Sequence, residues 1–247
     1  METIKQLTTD LKLSYIKNNY EQDLLEARQL GKSHEEFLTD ILIRERENRL
    51  NNGIKNRLRE AKFPQKKVLE DFKRSRFTKE QRLLFEKLET LDFIRNKENI
   101  ILISNPGMGK THYATGLGIK AIFNQMKVLF ISVPNLIIEL KEALSKHQIT
   151  QYKRKFEKYD LVILDELGYV SFDKEGSEIL FNLISNRINT GSMIVTTNLP
   201  FDRWNEIFKD SVLTAAIVDR LAHKSYVINM SGDSYRVEET INWLKEQ

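Results

Sequence analysis

The stretch Ser104–Thr111, which reads Ser-Asn-Pro-Gly-Met-Gly-Lys-Thr, constrains the fold of this chain more than any other. An apolar run, Ile100–Ile103, precedes it, and a segment with helical character follows from Thr111. In such a loop, glycines let consecutive backbone N–H groups converge on phosphate oxygens, and the lysine reaches the β- and γ-phosphates. The threonine hydroxyl is a Mg²⁺ ligand. The stretch therefore predicts a strand, a phosphate-binding loop and a helix that bind a nucleoside triphosphate with Mg²⁺.

Two adjacent acids, Asp165 and Glu166, end a second apolar run that begins at Tyr159. A short continuous apolar run is typical of a strand buried on both faces, whose carboxyl end enters a site. Asp165 is then expected to hold Mg²⁺, and Glu166 to orient and deprotonate a water for hydrolysis. The alternative is that the pair only caps the turn at Gly168. The phosphate-binding loop earlier in the chain favours the first interpretation.

Asn198 ends a third apolar run, Ser192–Thr197. Its amide is predicted to polarise the attacking water from the neighbouring strand. The alternative is an ordinary turn residue ahead of Pro200.

Two arginines later in the chain, Arg220 and Arg236, are candidates for stabilising charge on the γ-phosphate. Such an arginine supplies a large part of phosphoryl-transfer catalysis, and a neighbouring subunit can contribute it. The alternative for each is a surface salt bridge, with Asp219 and Glu238 respectively.

The composition excludes several classes of site. The chain has no cysteine, which excludes disulfides, thiolate catalysis and cysteine-based zinc sites. Its four histidines have no paired spacing that would indicate a metal. No apolar stretch approaches membrane-spanning length, and Met1–Lys5 does not begin a signal peptide, so we expect a cytoplasmic protein without a membrane partner.

Basic residues are concentrated in two places. Between Arg44 and Arg76 the chain has twelve Lys or Arg and five acids, and between Lys141 and Lys158 it has six bases and two acids. Such clusters suit a phosphate backbone that is bound without sequence preference, so we predict contacts to double-stranded DNA. The alternative is a solvated helix face. The predicted DNA-binding residues are Arg44, Arg49, Lys55, Arg57, Arg59, Lys62, Lys66, Lys67, Lys153, Arg154 and Lys155.

The chain divides into three segments. Residues 1–63 are predicted to form a small helical domain that binds DNA or a partner, with a capping box at Ser33 and Glu36 and a break or bend at Gly53. Residues 64–78 are a basic linker. Residues 79–247 alternate apolar runs with helical patterns, which predicts an α/β domain with a parallel five-stranded sheet. The predicted strands are 99–103, 127–132, 160–165, 192–197 and 224–230.

Taken together, these motifs resemble the IstB-type ATP-binding proteins of bacterial insertion sequences. These are AAA+ P-loop ATPases related to the helicase loader DnaC and the initiator DnaA. The resemblance covers nearly the whole length and rests on motifs in a fixed order: Leu69–Phe72, Leu91–Ile94, Asn105–His112, Leu164–Tyr169, Thr197–Phe201 with Trp204, Asp219–His223 and Gly232–Arg236.

Carried over position by position, the resemblance implies a role for each motif. Lys110 and Thr111 match Walker A, Asp165 and Glu166 match Walker B, and Asn198 matches sensor 1. Arg220 matches the arginine finger, and Arg236 occupies a place like that of sensor 2. Nucleotide binding is assigned to the whole loop: Asn105, Pro106, Gly107, Met108, Gly109, Lys110, Thr111 and His112.

The family implies a transposition helper that binds ATP, Mg²⁺ and DNA of any sequence, forms a homo-oligomer on DNA and remodels it. It then recruits or stimulates the transposase of the same element. The sequence departs from the family in two places. Ser104 replaces the usual glycine, which suits the loop if the residue is still extended. Only 14 residues follow Asp233, so we expect no full C-terminal helical lid.

Two other functional classes are open. One is a DnaC-like loader of a replicative helicase, and the other is a nucleotide-gated DNA-binding protein with negligible turnover. A small-molecule kinase fits poorly, because it has no use for the acidic pair together with Asn198 and an arginine from a neighbour.

Overall fold

A computed structural model describes residues 3–188, 190–230 and Leu244. The chain forms two compact units, Met1–Asn56 and Arg57–Gln247. The boundary between them falls inside a long helix, whereas the sequence suggested a division at residues 63 and 78. The first unit consists of helices in the residues described, and the second contains the sheet.

The described residues of the first unit form α1 (Ile4–Asp10), α2 (Ser14–Gln29) and most of α3 (His34–Glu60), whose last residues belong to the second unit. The predicted capping box is present, because the Glu36 carboxylate accepts from the Ser33 backbone N–H at 2.8 Å and the Ser33 hydroxyl accepts from the Glu36 N–H at 3.2 Å. Helix α3 runs through Gly53 without ending there, so the expected break is absent.

A buried carboxylate joins these helices. Glu45 of α3 is 3% exposed, and its Oε2 accepts from the backbone N–H groups of Tyr15 and Ile16 at 2.8 and 3.1 Å. These are first-turn donors of α2 that have no partner within their own helix. The Glu45 Oε1 accepts from Arg49 Nε at 3.1 Å, and Arg49 also donates to the Lys12 carbonyl at 3.0 Å. One acid and one arginine therefore connect α3 to the junction between α1 and α2.

A five-stranded parallel sheet forms the centre of the second unit, as the sequence predicts. Its strands are β1 (Asn99–Ile103), β2 (Val128–Ser132), β3 (Leu161–Leu167), β4 (Ser192–Thr197) and β5 (Ser225–Asn229), in the order β2-β3-β4-β1-β5. The helices are α4 (Lys79–Leu88), α5 (Asp92–Arg95), α6 (Lys110–Phe123), α7 (Val133–Ser145), α8 (Ile149–Glu157), α9 (Lys174–Arg187), α10 (Asn205–Phe208) and α11 (Ser211–Ala222).

The strand order decides which loops meet. Strand β4 lies between β1 and β3, and every residue of β4 is buried. Ile103 at the end of β1 pairs with Thr197 at the end of β4, and Leu167 of β3 pairs with the same threonine. In a parallel sheet, the carboxyl ends of neighbouring strands share one edge, where ligands bind. The loop after β1 and the acids of β3 therefore lie beside each other.

Residues 61–77 pack against the sheet unit, although the sequence placed most of them in a linker. The Ala61 carbonyl accepts from the Phe130 N–H of β2 at 2.8 Å, and the Phe63 and Phe130 rings meet edge to face. Phe72 and Phe77 are buried against Phe85 of α4. The basic residues of this segment thus alternate with side chains of the core.

Two glycines of α6 permit this close packing. A Cβ at Gly116 would lie 2.7 Å from the Leu69 side chain, and a Cβ at Gly118 would lie 2.9 Å from both Phe63 and Ile163. The helix that follows the phosphate-binding loop is therefore enclosed between the sheet and the segment 63–69.

Candidate active site

The loop between β1 and α6 has the backbone that a phosphate cradle requires. The Ser104 N–H donates to the Thr197 carbonyl at 3.2 Å, so Ser104 continues the pairing of β1 with β4 and is extended, as a serine at this position requires. Gly107 and Gly109 have φ values of 85° and 90°, a left-handed region that glycine adopts without strain. Gly109 is the N-cap of α6, so the first N–H groups of this helix point into the loop.

Lys110 is buried at the base of this loop. Its Nζ donates to the carbonyls of Ser104 and Asn105 at 2.6 and 3.0 Å, and to the Ser104 hydroxyl at 3.0 Å. The Ser104 hydroxyl in turn donates to the Asn105 carbonyl at 3.0 Å. Ser104 therefore supplies an acceptor for the ammonium group that a glycine at this position would lack.

Asp165 is the buried carboxylate of the site, with 5% of its surface exposed. The Thr111 hydroxyl donates to its Oδ1 at 3.0 Å, and the Thr196 hydroxyl donates to the same oxygen at 2.5 Å. Burial raises the pKa of Asp165, while the hydrogen bonds from Thr196 and Thr111 and the charge of Lys110 oppose the rise. Burial is the largest of these effects, because removal from water disfavours the ionised form of the Asp165 carboxyl.

Glu166 has an unusual backbone. Its φ is 65°, and the pairing of β3 with β4 shifts between Leu164 and Leu167. Three steps along β3, from Leu164 to Leu167, match two steps along β4, which is the pattern of a β-bulge. The Glu166 N–H donates to the Thr196 hydroxyl at 3.0 Å, and the Glu166 side chain is exposed.

Two cavities meet at these acids. The first, of about 400 Å³, is lined by Gly107–His112, Glu166, Thr196 and residues of the segment 67–73. The second, of about 540 Å³, shares Thr111, His112 and Glu166 with the first and is also lined by Asp165 and Glu139. Glu166 borders both, so a water held at its carboxylate would lie next to whatever occupies the phosphate loop.

His112 links the phosphate loop to the preceding segment. Its Nε2 lies 2.8 Å from the Val68 carbonyl, and its ring meets Phe72 edge to face. His112 therefore lines the cavity and also connects the phosphate loop to the segment 67–73, which lines the same cavity.

Oxygen donors at this site fit a hard divalent cation. Thr111 and Asp165 present a hydroxyl and a carboxylate to the same point, the ligand types that Mg²⁺ prefers. Within residues 3–188 and 190–230, no group of three or more His, Cys, Asp or Glu could hold a metal. Mg²⁺ would therefore be bound by these two residues together with phosphate oxygens and water.

Asn198 lies apart from the two cavities and lines neither of them. Its Oδ1 is buried and has no hydrogen-bond partner among the described residues, and it lies close to Gly168, where a Cβ would lie 2.8 Å from that oxygen. The amide is thus within the turn that follows Glu166. Its role toward a water stays a prediction.

The two arginines that were candidates for γ-phosphate contacts lie away from the loop or outside the described residues. Arg220 is exposed on α11, where its guanidinium stacks over the Phe181 ring at 4.4 Å and donates to the Ser185 hydroxyl. Arg236 and its motif, Gly232–Arg236, lie outside the residues that the structure describes.

Four of the predicted DNA-binding residues have partners within the chain, and the other seven are described by their exposure. Arg44 pairs with the buried Asp23 and with Glu26, and Arg49 pairs with Glu45, so we remove both from the predicted DNA contacts. Arg57 donates to Gln125 at 2.8 Å, and Lys62 lies 3.7 Å from Glu139. The other predicted residues are exposed, apart from Lys153, which is half-buried: Lys55, Arg59, Lys66, Lys67, Arg154 and Lys155.

Thr196 and the segment 67–73 are the parts of the site that the sequence analysis missed. The available signal was the pair Thr196-Thr197 at the end of an otherwise apolar strand.

None of the helices among the described residues is long and apolar enough to cross a membrane.

Because burial raises the pKa of Asp165, ionised Asp165 destabilises the folded protein at neutral pH. A carboxyl whose pKa is higher in the folded state loses its stabilising contribution as pH rises through that value. We therefore expect Asp165→Asn to raise the melting temperature at pH 7, by about 2–4 °C for each kcal/mol recovered, and to abolish Mg²⁺-dependent nucleotide binding. The gain should shrink as pH falls through the pKa of Asp165, which thermal melts at pH 7 and pH 5 would show. A variant less stable than wild type at pH 7 would contradict this account.

Comparisons with known proteins agree with this geometry. A family model described as IstB-like ATP binding protein matches residues 6–242. A protein named for ATP binding in insertion sequence IS21 of Pseudomonas aeruginosa is 34% identical over 97% of this chain and 90% of its own length. Its counterpart in insertion sequence IS5376 of Geobacillus stearothermophilus is 36% identical over 84% of this chain and 82% of that protein.

Solved structures give the fold. DnaA from Aquifex aeolicus, bound to AMPPCP, superposes with a TM-score of 0.57 at 19% identity, over 75% of this chain and 56% of that one. DnaI superposes with a TM-score of 0.56 at 19% identity, over 68% of this chain and 89% of that one. The sheet unit thus has the AAA+ P-loop fold, and the chain belongs to the family of IstB-like ATP binding proteins.

Proposed function

We propose that this protein is a Mg²⁺-dependent ATPase that binds DNA without sequence preference and serves the transposase of an insertion sequence by selecting or preparing target DNA. The observation that carries the ATPase proposal is the bulge in β3, which places Asp165 beside Thr111 and Glu166 beside the phosphate loop. Nucleotide binding alone requires the loop and Asp165. Glu166 is needed only if a water must be activated.

Each residue of the site has a distinct proposed role. The N–H groups of the loop and the Lys110 ammonium bind the phosphates, and Thr111 with Asp165 holds the cation. Mg²⁺ supplies neutralisation of charge on the phosphate oxygens when it is bound. Glu166 is exposed to the cavity, so its carboxylate can accept a proton from water. Asn198 is proposed to orient that water, which requires its amide to turn out of its buried place beside Gly168.

Relatives and charge together support the DNA part of the proposal. Proteins 34% and 36% identical to this chain are named as components of insertion sequences. The exposed bases Lys55 and Lys66 have few aromatic neighbours for stacking on unpaired bases. The aromatic residues beside Arg154 and Lys155 are buried or half-buried: Tyr152, Phe156 and Tyr159. Duplex phosphates are therefore the natural partner of both sets.

A helicase loader is the alternative, since the DnaC helicase loader superposes with a TM-score of 0.52 at 19% identity, over 61% of this chain and 89% of that one. This superposition shows a shared fold and does not by itself support a shared function. A transposase gene immediately upstream would favour the first function, and a replication operon would favour the second. A nucleotide-gated DNA-binding protein is distinguished from both by the absence of turnover.

We expect Glu166→Gln to bind ATP with unchanged affinity but to lose hydrolysis, because the amide cannot accept the proton of the water. The loss should be about 10²–10⁴-fold in kcat, the usual contribution of a general base. Phosphate release and equilibrium ATP binding measure the two properties. The control is Glu175→Gln, a neutralised acid in the first turn of α9. Wild-type turnover by Glu166→Gln would remove Glu166 from the mechanism.

Arg220 is proposed to act on the nucleotide of a neighbouring subunit, because in its own subunit it is directed to Phe181 and Ser185. Lys110→Ala and Arg220→Ala proteins should each be inactive, and mixing them should restore part of the ATPase activity, since some interfaces then combine an intact loop with an intact arginine. A Lys110→Ala, Arg220→Ala double variant mixed with Lys110→Ala is the control and should restore none. Failure to recover activity in confirmed mixed assemblies, with Ser185→Ala as inactive as Arg220→Ala, would indicate a structural arginine.

Charge reversal tests the DNA surface. Lys55→Glu with Lys66→Glu, and separately Arg154→Glu with Lys155→Glu, should weaken binding to unrelated duplexes to a similar degree. Each lost phosphate contact should also reduce the slope of log K against log salt by about 0.9. Lys17→Glu with Lys174→Glu makes the same change of charge on exposed residues outside both sets and should leave affinity near wild type. If all three pairs weaken binding equally, the effect is one of net charge, and the two clusters are not the contact surface.

A further inference from the structure

Asp165 and Glu166 are consecutive in a strand, yet both serve one site. In a regular strand, successive side chains point to opposite faces of the sheet, so adjacent acids could not both reach the same ligand. The bulge removes this obstacle, because it inserts one extra residue of β3 opposite β4 and turns Glu166 into the left-handed region. A glutamate with φ of 65° is strained and persists only where its surroundings hold it.

Thr196 is the residue of β4 opposite the bulge, and it is 1% exposed. Its hydroxyl donates to Asp165 Oδ1 at 2.5 Å and accepts from the Glu166 N–H at 3.0 Å. One hydroxyl therefore uses its proton to hold the side chain of the first acid and its lone pair to hold the backbone of the second. Both of these hydrogen bonds lie at the bulge, so the Thr196 hydroxyl contacts both acids at the point where the strand is irregular.

We propose that Thr196 is a positioning residue for ATP hydrolysis, which fixes the carboxylate of Asp165 for Mg²⁺ and the backbone of Glu166 for its approach to water. This inference rests on the proposed ATPase function. It assigns a role to a residue that binds neither phosphate nor metal in that scheme, although its surface borders the cavity of the phosphate loop.

The role has a consequence that simple packing would not produce. The hydroxyls of Thr196 and Thr111 both donate to Asp165 Oδ1, so loss of the Thr196 hydroxyl should free the carboxylate to turn away from Thr111. Thr111 is the other residue proposed to hold Mg²⁺, so the cation should then bind more weakly. A variant without the Thr196 hydroxyl should therefore need a higher Mg²⁺ concentration for ATP binding and hydrolysis.

The test compares Thr196→Val, which keeps the shape and removes the hydroxyl, with Thr196→Ser, which keeps the hydroxyl. Thr214→Val is the matched control, because Thr214 is also buried and its hydroxyl donates within α11, to the Asp210 carbonyl. We expect Thr196→Val to lower kcat at pH 7 by about tenfold or more, as the loss of a hydrogen bond to a charged group implies. The Mg²⁺ concentration that gives half-maximal activity should rise. Thr196→Ser should retain most activity with an unchanged Mg²⁺ requirement, and Thr214→Val should match wild type.

A second measurement does not depend on turnover. Binding of the non-hydrolysable analogue AMPPCP is titrated against Mg²⁺ at pH 7 for the same variants. Thr196→Val should need a higher Mg²⁺ concentration than wild type for half-maximal binding, whereas Thr196→Ser and Thr214→Val should need the same concentration as wild type. If wild type binds AMPPCP but does not hydrolyse ATP, the ATPase proposal fails while this measurement still decides the role of Thr196. A folded Thr196→Val protein with wild-type kcat and a wild-type Mg²⁺ requirement would overturn the inference.

Discussion

The hydrogen bonds to the Asp165 carboxylate are the interactions on which the site depends. They join three separate parts of the chain, because Thr111 lies in the first turn of α6, Asp165 belongs to β3 and Thr196 belongs to β4. A buried carboxylate without such donors would be protonated or would disrupt the sheet. The strand order makes the arrangement possible, since β4 lies between the strand of the phosphate loop and the strand of the acids. The nucleotide site is therefore a property of the sheet edge more than of any single loop.

The sequence predicted the parallel sheet well, because buried strands and the loop after β1 depend on local patterns. Continuous apolar runs identify buried parallel strands, and a glycine-rich loop before a helix has few other uses. The strands beginning near residues 99, 127, 160, 192 and 224 were confirmed within one or two residues. Ser104 also continues the pairing of β1 with β4, which fits the condition under which the loop accepts a serine at this position.

The remaining features depend on contacts between distant residues, which no local pattern reports. Thr196 reaches the acids only because β3 contains a bulge, and nothing between Leu161 and Leu167 signals the extra residue. Lys66, Lys67 and Lys73 gave their segment the composition of a linker, although Phe72 is buried within it. Arg44 and Arg49 read as a basic surface because their acidic partners Asp23 and Glu45 belong to the packing of one helical unit.

The packing of residues 61–77 on α6 determines where this protein can be divided. A fragment begun at residue 79 would expose the surfaces that Phe63, Leu69 and Phe72 cover, and would leave the β2 edge without the Ala61 carbonyl. A natural exchange of N-terminal units between relatives would have to join the chains inside α3, near Asn56 and Arg57, in helical register. Chains joined within α3 should therefore fold, whereas chains joined between residues 64 and 78 should lose the packing of this segment on α6.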